Sequence, residues 1–138
     1  MKLIEGEAPV FADLNVFKIA YSMASHAGTR QALVSQNIAN ANTPDYHSKD
    51  IRPFSEVFAR RGASSGDMIS TRSSHLNGAG GGVDWAITED DTGAGPNGNS
   101  VSIEDEILKG VEVKRQHDRA LAIYRSSMNV LRASIRAN

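Results

Sequence analysis

The chain has 138 residues, a formal net charge of −1 and no cysteine. Near-neutral charge gives no electrostatic basis for binding nucleic acid or an anionic membrane, and the lack of cysteine excludes disulfides and thiolate metal sites. Aromatic residues make up only 6% of the chain. Because this is a small supply for a globular core, we predict a mainly α protein of one domain, in which long helices bury apolar stripes.

The first predicted helix follows a short N-terminal segment. Residues 1–12 show no clear period and contain Pro9, so we predict that this segment is mobile. From residue 13 to about Ala41, apolar residues recur at helical spacing, and Asp13 is an acceptable N-cap. The predicted seam of this helix contains Phe17, Tyr21, Ala24 and Ile38, and a flanking row contains Val16, Ala20, Met23, Ala27 and Val34.

Residues 37–51 are predicted to turn the end of this helix into a corner. Pro44 lacks an amide proton and pushes Thr43 out of the α region, so the helix cannot continue. Asp45 tolerates a left-handed or turn backbone better than most residues do. Asn40 and Asn42 are suited to satisfy the last helical carbonyls. The residues alone leave open whether this is an ordinary helix-ending turn or a fixed corner with a function.

The corner also carries a resemblance to a known family. The string Asn37-Ile-Ala-Asn-Ala-Asn-Thr-Pro-Asp-Tyr46 resembles N-(I/L)-A-N-x-x-T-P-G-Y, the signature of bacterial flagellar axial proteins, which are the rod, hook and hook-associated subunits. Asp45 departs from this signature, since the family usually has glycine there, and glycine reaches positive φ without steric cost. The resemblance implies an assembly motif made of Asn37, Ile38, Asn40, Asn42, Thr43, Pro44 and Tyr46.

A short second helix is predicted to follow the corner and to complete a segment that spans residues 13–61. Phe54 and Phe58 share one face of this helix, with Val57 beside them. One interpretation is a small apolar patch that folds back on the first helix. The resemblance offers another, because Phe54 and Phe58 match the F-x-x-x-hydrophobic string that rod and hook subunits present to the export gate.

Glycine, serine, aspartate and asparagine dominate residues 62–100, which predicts a flexible middle region. Two islands, residues 67–71 and 83–88, have strand-like composition and would pair as a short β-hairpin, although a lone hairpin is marginal in water. Trp85, the only tryptophan, either anchors this hairpin by local packing or contacts a neighbouring molecule.

Residues 101–138 are predicted to form a second long helix. Asn99, Ser100 or Ser102 can cap it, and the acidic residues 104–106 suit the positive end of its dipole. From residue 114 onward the apolar spacing is that of a coiled coil. We therefore predict that the two terminal helices form an antiparallel, coiled-coil-like hairpin. The predicted seam of the second helix contains Ile107, Val111, Leu121, Tyr124, Met128, Leu131 and Ile135.

The approach to this helix extends the resemblance, which covers about residues 14–137. The string Pro96-Asn-Gly-Asn-Ser-Val-Ser-Ile-Glu-Asp-Glu106 resembles D-G-N-x-V-(D/N)-x-x-x-E, which precedes the C-terminal helix of proximal rod subunits. The resemblance implies a structural subunit of the flagellar basal-body rod, which self-assembles into the drive shaft. Its implied partners are copies of itself, other rod subunits, the ring–rod junction proteins and the flagellar export apparatus. It also implies a place in the periplasm-spanning rod, reached without a cleaved signal peptide.

Two alternatives stay open at this point. A sister proximal rod protein would share the corner, although such proteins usually carry a Gly-Gly-Pro-Tyr string after it, which this chain lacks. A helical-hairpin adaptor or export chaperone would keep the two helices folded alone and bind a partner reversibly.

Residue patterns for catalysis or metal binding do not emerge from the sequence. The four histidines have no ligand spacing between them, and the acidic residues 104–106 are explained by a helix start. No stretch approaches the roughly 20 apolar residues of a membrane span. We predict no enzyme, no cofactor or metal, no nucleic-acid partner and no direct membrane span.

Overall fold

The computed structural model describes residues 7–63 and 85–136, and gives only the backbone for residues 7–14 and 60–63. Its helices and strands follow the order α1 (Glu7–Ala39), β1 (Ser48–Ile51), α2 (Phe54–Ala63), β2 (Ile87–Asp90) and α3 (Ile103–Arg136). The two long helices lie at either end of the chain and the short sheet between them in sequence. The mainly α fold class is therefore confirmed.

Helix α1 begins at Glu7 rather than at the predicted cap, Asp13. Pro9 lies in its first turn, where the missing amide proton has no helical partner to lose, so proline is tolerated there. Residues 7–12, predicted to be mobile, are thus helical, and residues 1–6 lie outside the described part of the chain. The helix ends at Ala39, shortly before Pro44.

Helix α3 begins where the sequence predicts, and Ser102 is its cap. The Ser102 hydroxyl accepts a hydrogen bond from the Asp105 amide at 3.4 Å, and the Glu106 amide donates to the Ser102 carbonyl at 3.0 Å. This is the arrangement in which a serine side chain satisfies an amide that has no partner inside the helix.

Contacts divide the chain into two compact units. The first contains the residues up to Ala32 and those from Ile107 onward, and the second spans Leu33–Glu106. In the first unit α1 and α3 run antiparallel. Arg30 on α1 pairs with Glu112 on α3 at 3.7 Å, whereas the Phe17 ring, earlier on α1, meets the Tyr124 ring, later on α3, with centroids 5.2 Å apart.

The buried face of this helix pair is made of small residues. Ala20 and Ala27 lie a heptad apart on α1, and Val113, Ala120 and Ser127 lie a heptad apart on α3; all five are buried. Small side chains at these positions allow two helix backbones to approach closely. The heptad spacing agrees with a coiled-coil-like hairpin.

Most of the large apolar residues of the predicted seam are exposed. Tyr21 is 75% exposed, Ile107 55% and Ile135 76%, and Val111, Leu121 and Tyr124 are also exposed. Phe17, Ala24, Met128 and Leu131 are half-buried, and the Phe17 and Tyr124 rings meet across the two helices. The buried residues Ala20 and Ala27 belong to the predicted flanking row, because small side chains allow two helix backbones to approach closely.

In the second unit β1 and β2 form an antiparallel pair with Ser48 opposite Asp90 and Ile51 opposite Ile87. The predicted pairing between the two islands stays a prediction. The second island contributes Ile87–Asp90, and its partner is the segment that directly follows the corner. The island at residues 67–71 lies outside the described residues.

A small apolar cluster supports this sheet. Leu33 from α1, Ile51 from β1 and Trp85 form its buried part, and Phe54 and Val57 from α2 pack against it. The Phe54 and Trp85 ring centroids lie 6.4 Å apart. The cluster agrees with the local-packing interpretations of Trp85 and of the α2 patch, since α2 folds back on a residue of α1.

Candidate assembly site

Asn37 is the centre of a buried hydrogen-bond network in the second unit, and its side chain is fully buried. Its amide nitrogen donates to the Lys49 carbonyl at 2.8 Å and to a Glu106 carboxylate oxygen at 3.0 Å. Its amide oxygen accepts from the Lys49 amide at 3.0 Å and from the Tyr46 hydroxyl at 3.3 Å. A carboxamide can donate and accept at once, so this one residue bonds the strand β1 and the start of α3 to the end of α1.

Glu106 brings a carboxylate into the same network, and it is buried. Besides the bond from Asn37, its Oε1 accepts from the Ser48 hydroxyl at 3.4 Å. A buried carboxylate is stable only when hydrogen bonds replace its lost hydration. The sequence-based explanation of Glu106 as a dipole-matching residue of a helix start is therefore incomplete, because its side chain points into the network.

A second amide, that of Asn99, closes the turn after α1. Its nitrogen donates to the Asn40 carbonyl at 2.8 Å and to the Thr43 carbonyl at 2.7 Å, and its oxygen accepts from the Val101 amide at 2.8 Å. Asn99 is buried. Carbonyls left without a helical partner at the end of α1 are thus satisfied by a residue from the approach to α3.

The backbone of the two segments is also joined. The Asp45 amide donates to the Asn97 carbonyl at 3.0 Å, and the Ser100 amide donates to the Tyr46 carbonyl at 3.1 Å. The Ser100 hydroxyl in turn accepts from the Ser48 amide at 2.8 Å. The two strings that carry the family resemblance therefore lie against each other and form one structure, which we call the asparagine corner (residues 37–48, 97–100 and Glu106).

Two residues of the asparagine corner have positive φ. Asp45 has a φ of 57° and Gly98 a φ of 77°. A Cβ atom built on Gly98 would clash with the Asp45 carboxylate and lie 3.3 Å from the Asp45 Cα, so a side chain at position 98 would force Asp45 to move. The axial signature has glycine at position 45. Asp45 can adopt the left-handed backbone because its short polar side chain makes this conformation tolerable.

Tyr46 is half-buried against the network. Burial raises the pKa of its hydroxyl above the ordinary 10.0, and the negative charges of Glu106 and Glu89 add to the effect. Ionisation is disfavoured because the phenolate would lose hydration beside a carboxylate that already accepts hydrogen bonds.

The remaining members of the predicted motif lie at the surface. Asn42, Thr43 and Pro44 are exposed, and Ile38 is exposed on α1. The Thr43 hydroxyl donates to the Asn40 side-chain oxygen at 3.1 Å, and the Asn40 side chain donates to the Gln36 carbonyl at 2.8 Å, as expected for an asparagine that ends a helix. The motif thus has a buried part that holds the corner and an exposed part that faces outward.

Several residues of the corner were absent from the sequence-predicted assembly motif. They include Ser48, which follows the motif closely, and Gly98, Asn99 and Glu106, which lie far from it in sequence. The signal that could have found three of them is the second resemblance string, because two strings of one family signature are good candidates for a mutual contact.

The exposed side of the first unit contains a groove of about 570 Å³. Gly28 from α1 and Ile107, Val111 and His117 from α3 are among the residues that line it. No atom lies within 4 Å of a Cβ built on Gly28, so this part of the groove is open. Residues of the predicted seam line the groove together with Ala27 and Val113 from the buried rows.

Within residues 7–63 and 85–136, no group of histidine and acidic residues is arranged to hold a metal ion. None of the described helices is long and apolar enough to cross a membrane.

The chain thus resembles the class of flagellar axial proteins, since its corner brings together the two strings that carry this resemblance and its two long helices pair through small residues. A comparison with known proteins gives the particular family. The chain is 33% identical over 117 residues to the flagellar basal body rod protein FlgB of Agrobacterium fabrum (strain C58), covering 82% of this chain and 87% of that protein. It therefore belongs to the FlgB family of flagellar basal body rod proteins. No family model matches the chain.

Proposed function

We propose that the chain is a structural subunit of the rod in the flagellar basal body, and that it self-assembles with other axial subunits into the drive shaft. The observation that carries the proposal is the asparagine corner, in which both strings typical of axial proteins bond to each other around Asn37. The relationship to a FlgB rod protein supports the same function. Under this proposal the protein acts by assembly and turns over no substrate.

The exposed apolar residues of the first unit supply the surfaces that assembly would bury. Tyr21, Ile107 and Ile135 are all more than half exposed, although they belong to the rows with the helical apolar spacing. Covering a side chain of this size stabilises a complex by about 1.5–3 kcal/mol before the cost of ordering is subtracted. We propose that neighbouring rod subunits cover these rows and that a helix of a neighbour occupies the groove beside Gly28.

The asparagine corner would hold the end of α1 and the start of α3 in one fixed arrangement during assembly. Its exposed members, Asn42, Thr43 and Pro44, are available to contact neighbours, whereas Asn37 and Asn99 are occupied inside the subunit. Ring–rod junction proteins and other rod subunits are the proposed partners, and the periplasm-spanning rod is the proposed location.

The experiment that tests this function is complementation of a motile bacterium from which the gene has been deleted. A tagged wild-type copy is expected to restore motility and to be found in isolated basal bodies by electron microscopy of the labelled tag. Ile107→Asn, which replaces an exposed apolar side chain with a polar one of similar size, is expected to block incorporation, and Ile107→Leu is the matched control that keeps it. A motile deletion strain, or equal incorporation of both variants, would contradict the proposal.

Export of the subunit is a separate proposal. Phe54 and Phe58 lie on one face of α2 with stacked rings 5.9 Å apart, and Phe58 is exposed while Phe54 packs on Trp85. We propose that the export gate recognises this pair in the unfolded chain. Phe54→Ala should then reduce secretion. Ile51→Ala is the control, since it damages the same apolar cluster but leaves the Phe54–Phe58 string intact. Unchanged secretion of Phe54→Ala would exclude this role.

A further inference from the structure

The contact between His26 and Gln116 is the most unusual feature of the helix pair in the first unit. His26 is fully buried, in a face otherwise made of alanine, valine and serine. The Gln116 side-chain nitrogen lies 2.9 Å from His26 Nδ1 and also donates to the Met23 carbonyl at 3.1 Å. A buried imidazole between two helices is a group whose charge state affects their pairing.

The geometry fixes the protonation of the imidazole. The Met23 carbonyl can only accept a hydrogen bond, so the group of Gln116 that faces it must be the amide nitrogen. The same nitrogen faces His26 Nδ1, which therefore accepts and bears no proton. The imidazole is neutral, and its proton is on Nε2.

Protonation of His26 cannot be accommodated by a simple rearrangement. A proton on Nδ1 would point at a donor, the Gln116 amide. Turning the Gln116 amide over would present its oxygen to His26 but would also bring that oxygen against the Met23 carbonyl, which is likewise an acceptor. Each arrangement leaves one repulsive contact in a buried site, where such contacts are most costly.

Two ion pairs lie on the same helices: Arg30 on α1 pairs with Glu112 on α3 at 3.7 Å, and Lys114 pairs with Asp118 on α3 at 3.9 Å. His117, the residue that follows Gln116, lies on the exposed face of α3. Glu112 and Asp118 are thus each engaged by a cation.

We propose that His26 and Gln116 form an acid-sensitive latch, which holds α1 against α3 at neutral pH and releases them in acid. The direction follows from linkage. When the folded chain excludes a proton that the unfolded chain binds, stability is present above the unfolded-state pKa of histidine, about 6.5, and is lost as the pH falls below it. This property belongs to the single chain and holds whatever the chain assembles with.

Two measurements on the full chain test the latch. In the first, long-range ¹H–¹⁵N NMR at pH 7.5 identifies the tautomer of His26, which is expected to carry its proton on Nε2. In the second, denaturant unfolding followed by circular dichroism compares pH 7.5 with pH 5.5. If the folded chain binds no proton at His26, this residue alone makes the folding equilibrium constant about tenfold lower at pH 5.5 than at pH 7.5.

Variants separate this contribution from those of other groups. His26→Gln, which cannot titrate, is expected to lose the tenfold change, whereas His117→Gln keeps it. A proton on Nδ1 at pH 7.5, the same pH dependence in wild type and His26→Gln, or a chain without paired helices at pH 7.5 would each overturn the proposal.

Discussion

Replacement of Asn37 by alanine is the most direct test of the asparagine corner. The change removes one buried side chain and leaves its partners without their bonds to it, among them the Lys49 amide, the Lys49 carbonyl, the Tyr46 hydroxyl and a Glu106 carboxylate oxygen. Each buried group left without a partner costs about 1–3 kcal/mol. Even if water enters and compensates part of this loss, the free energy of unfolding should fall by about 3 kcal/mol or more, which is a large part of the 5–15 kcal/mol typical of a domain.

The matched control is Asn42→Ala, which removes the same side chain from the exposed part of the same motif. Its cost should stay within about 0.5 kcal/mol, as for other surface substitutions. Urea unfolding followed by circular dichroism measures both, and the slope of the transition should not change. Hydrogen exchange of the Lys49 amide reports the corner itself, because this amide donates to the Asn37 oxygen. Equal costs for Asn37→Ala and Asn42→Ala would refute the assignment of Asn37 as the buried centre of the corner.

Three further outcomes follow from the backbone and from Tyr46. Gly98→Ala should destabilise the chain by more than Gly93→Ala, since both glycines have a φ of 77° but only a Cβ at Gly98 meets the Asp45 side chain; urea unfolding of both variants measures the difference. Asp45→Gly should change stability by less than about 0.5 kcal/mol in the same assay, because the relieved left-handed strain is offset by the larger entropy of an unfolded glycine. Because the pKa of Tyr46 is raised in the folded chain, the contribution of this hydroxyl to stability is complete below pH 10 and is lost as the pH rises further. Tyr46→Phe should therefore lose less stability than wild type when unfolding is followed from pH 9 to 11.

The sequence was sufficient to predict the long helices, because their apolar spacing depends on local chemistry, although α1 begins at Glu7 and not at the predicted cap, Asp13. It was insufficient for the face through which they pair. Ranking by hydrophobicity selects Tyr21 and Ile107, whereas close packing of two helices selects Ala20, Ala27 and Ala120. Tyr21 directly follows Ala20 in the chain, and a step of one position turns the helix face by about 100°.

The sequence also did not predict which polar residues are buried. His26, Asn37 and Glu106 are polar or charged, and such residues are usually exposed. They are buried here because each has a partner from a distant part of the chain, and that partner cannot be known before the fold is. The corner itself was predictable, since proline and asparagine determine the local backbone, but its contact with the approach to α3 was not.

One consequence of the asparagine corner concerns how the protein can change in size. Its bonds join residues far apart in sequence, such as Asn40 with Asn99, so the intervening chain leaves and returns at the same place. Lengthening a chain segment that is fixed at both ends costs little conformational entropy, since doubling the length of a closed loop raises the free energy of closing it by only about 0.6 kcal/mol. Extra residues or even a whole folded module grafted between α2 and β2 would therefore leave the bonds of the asparagine corner in place.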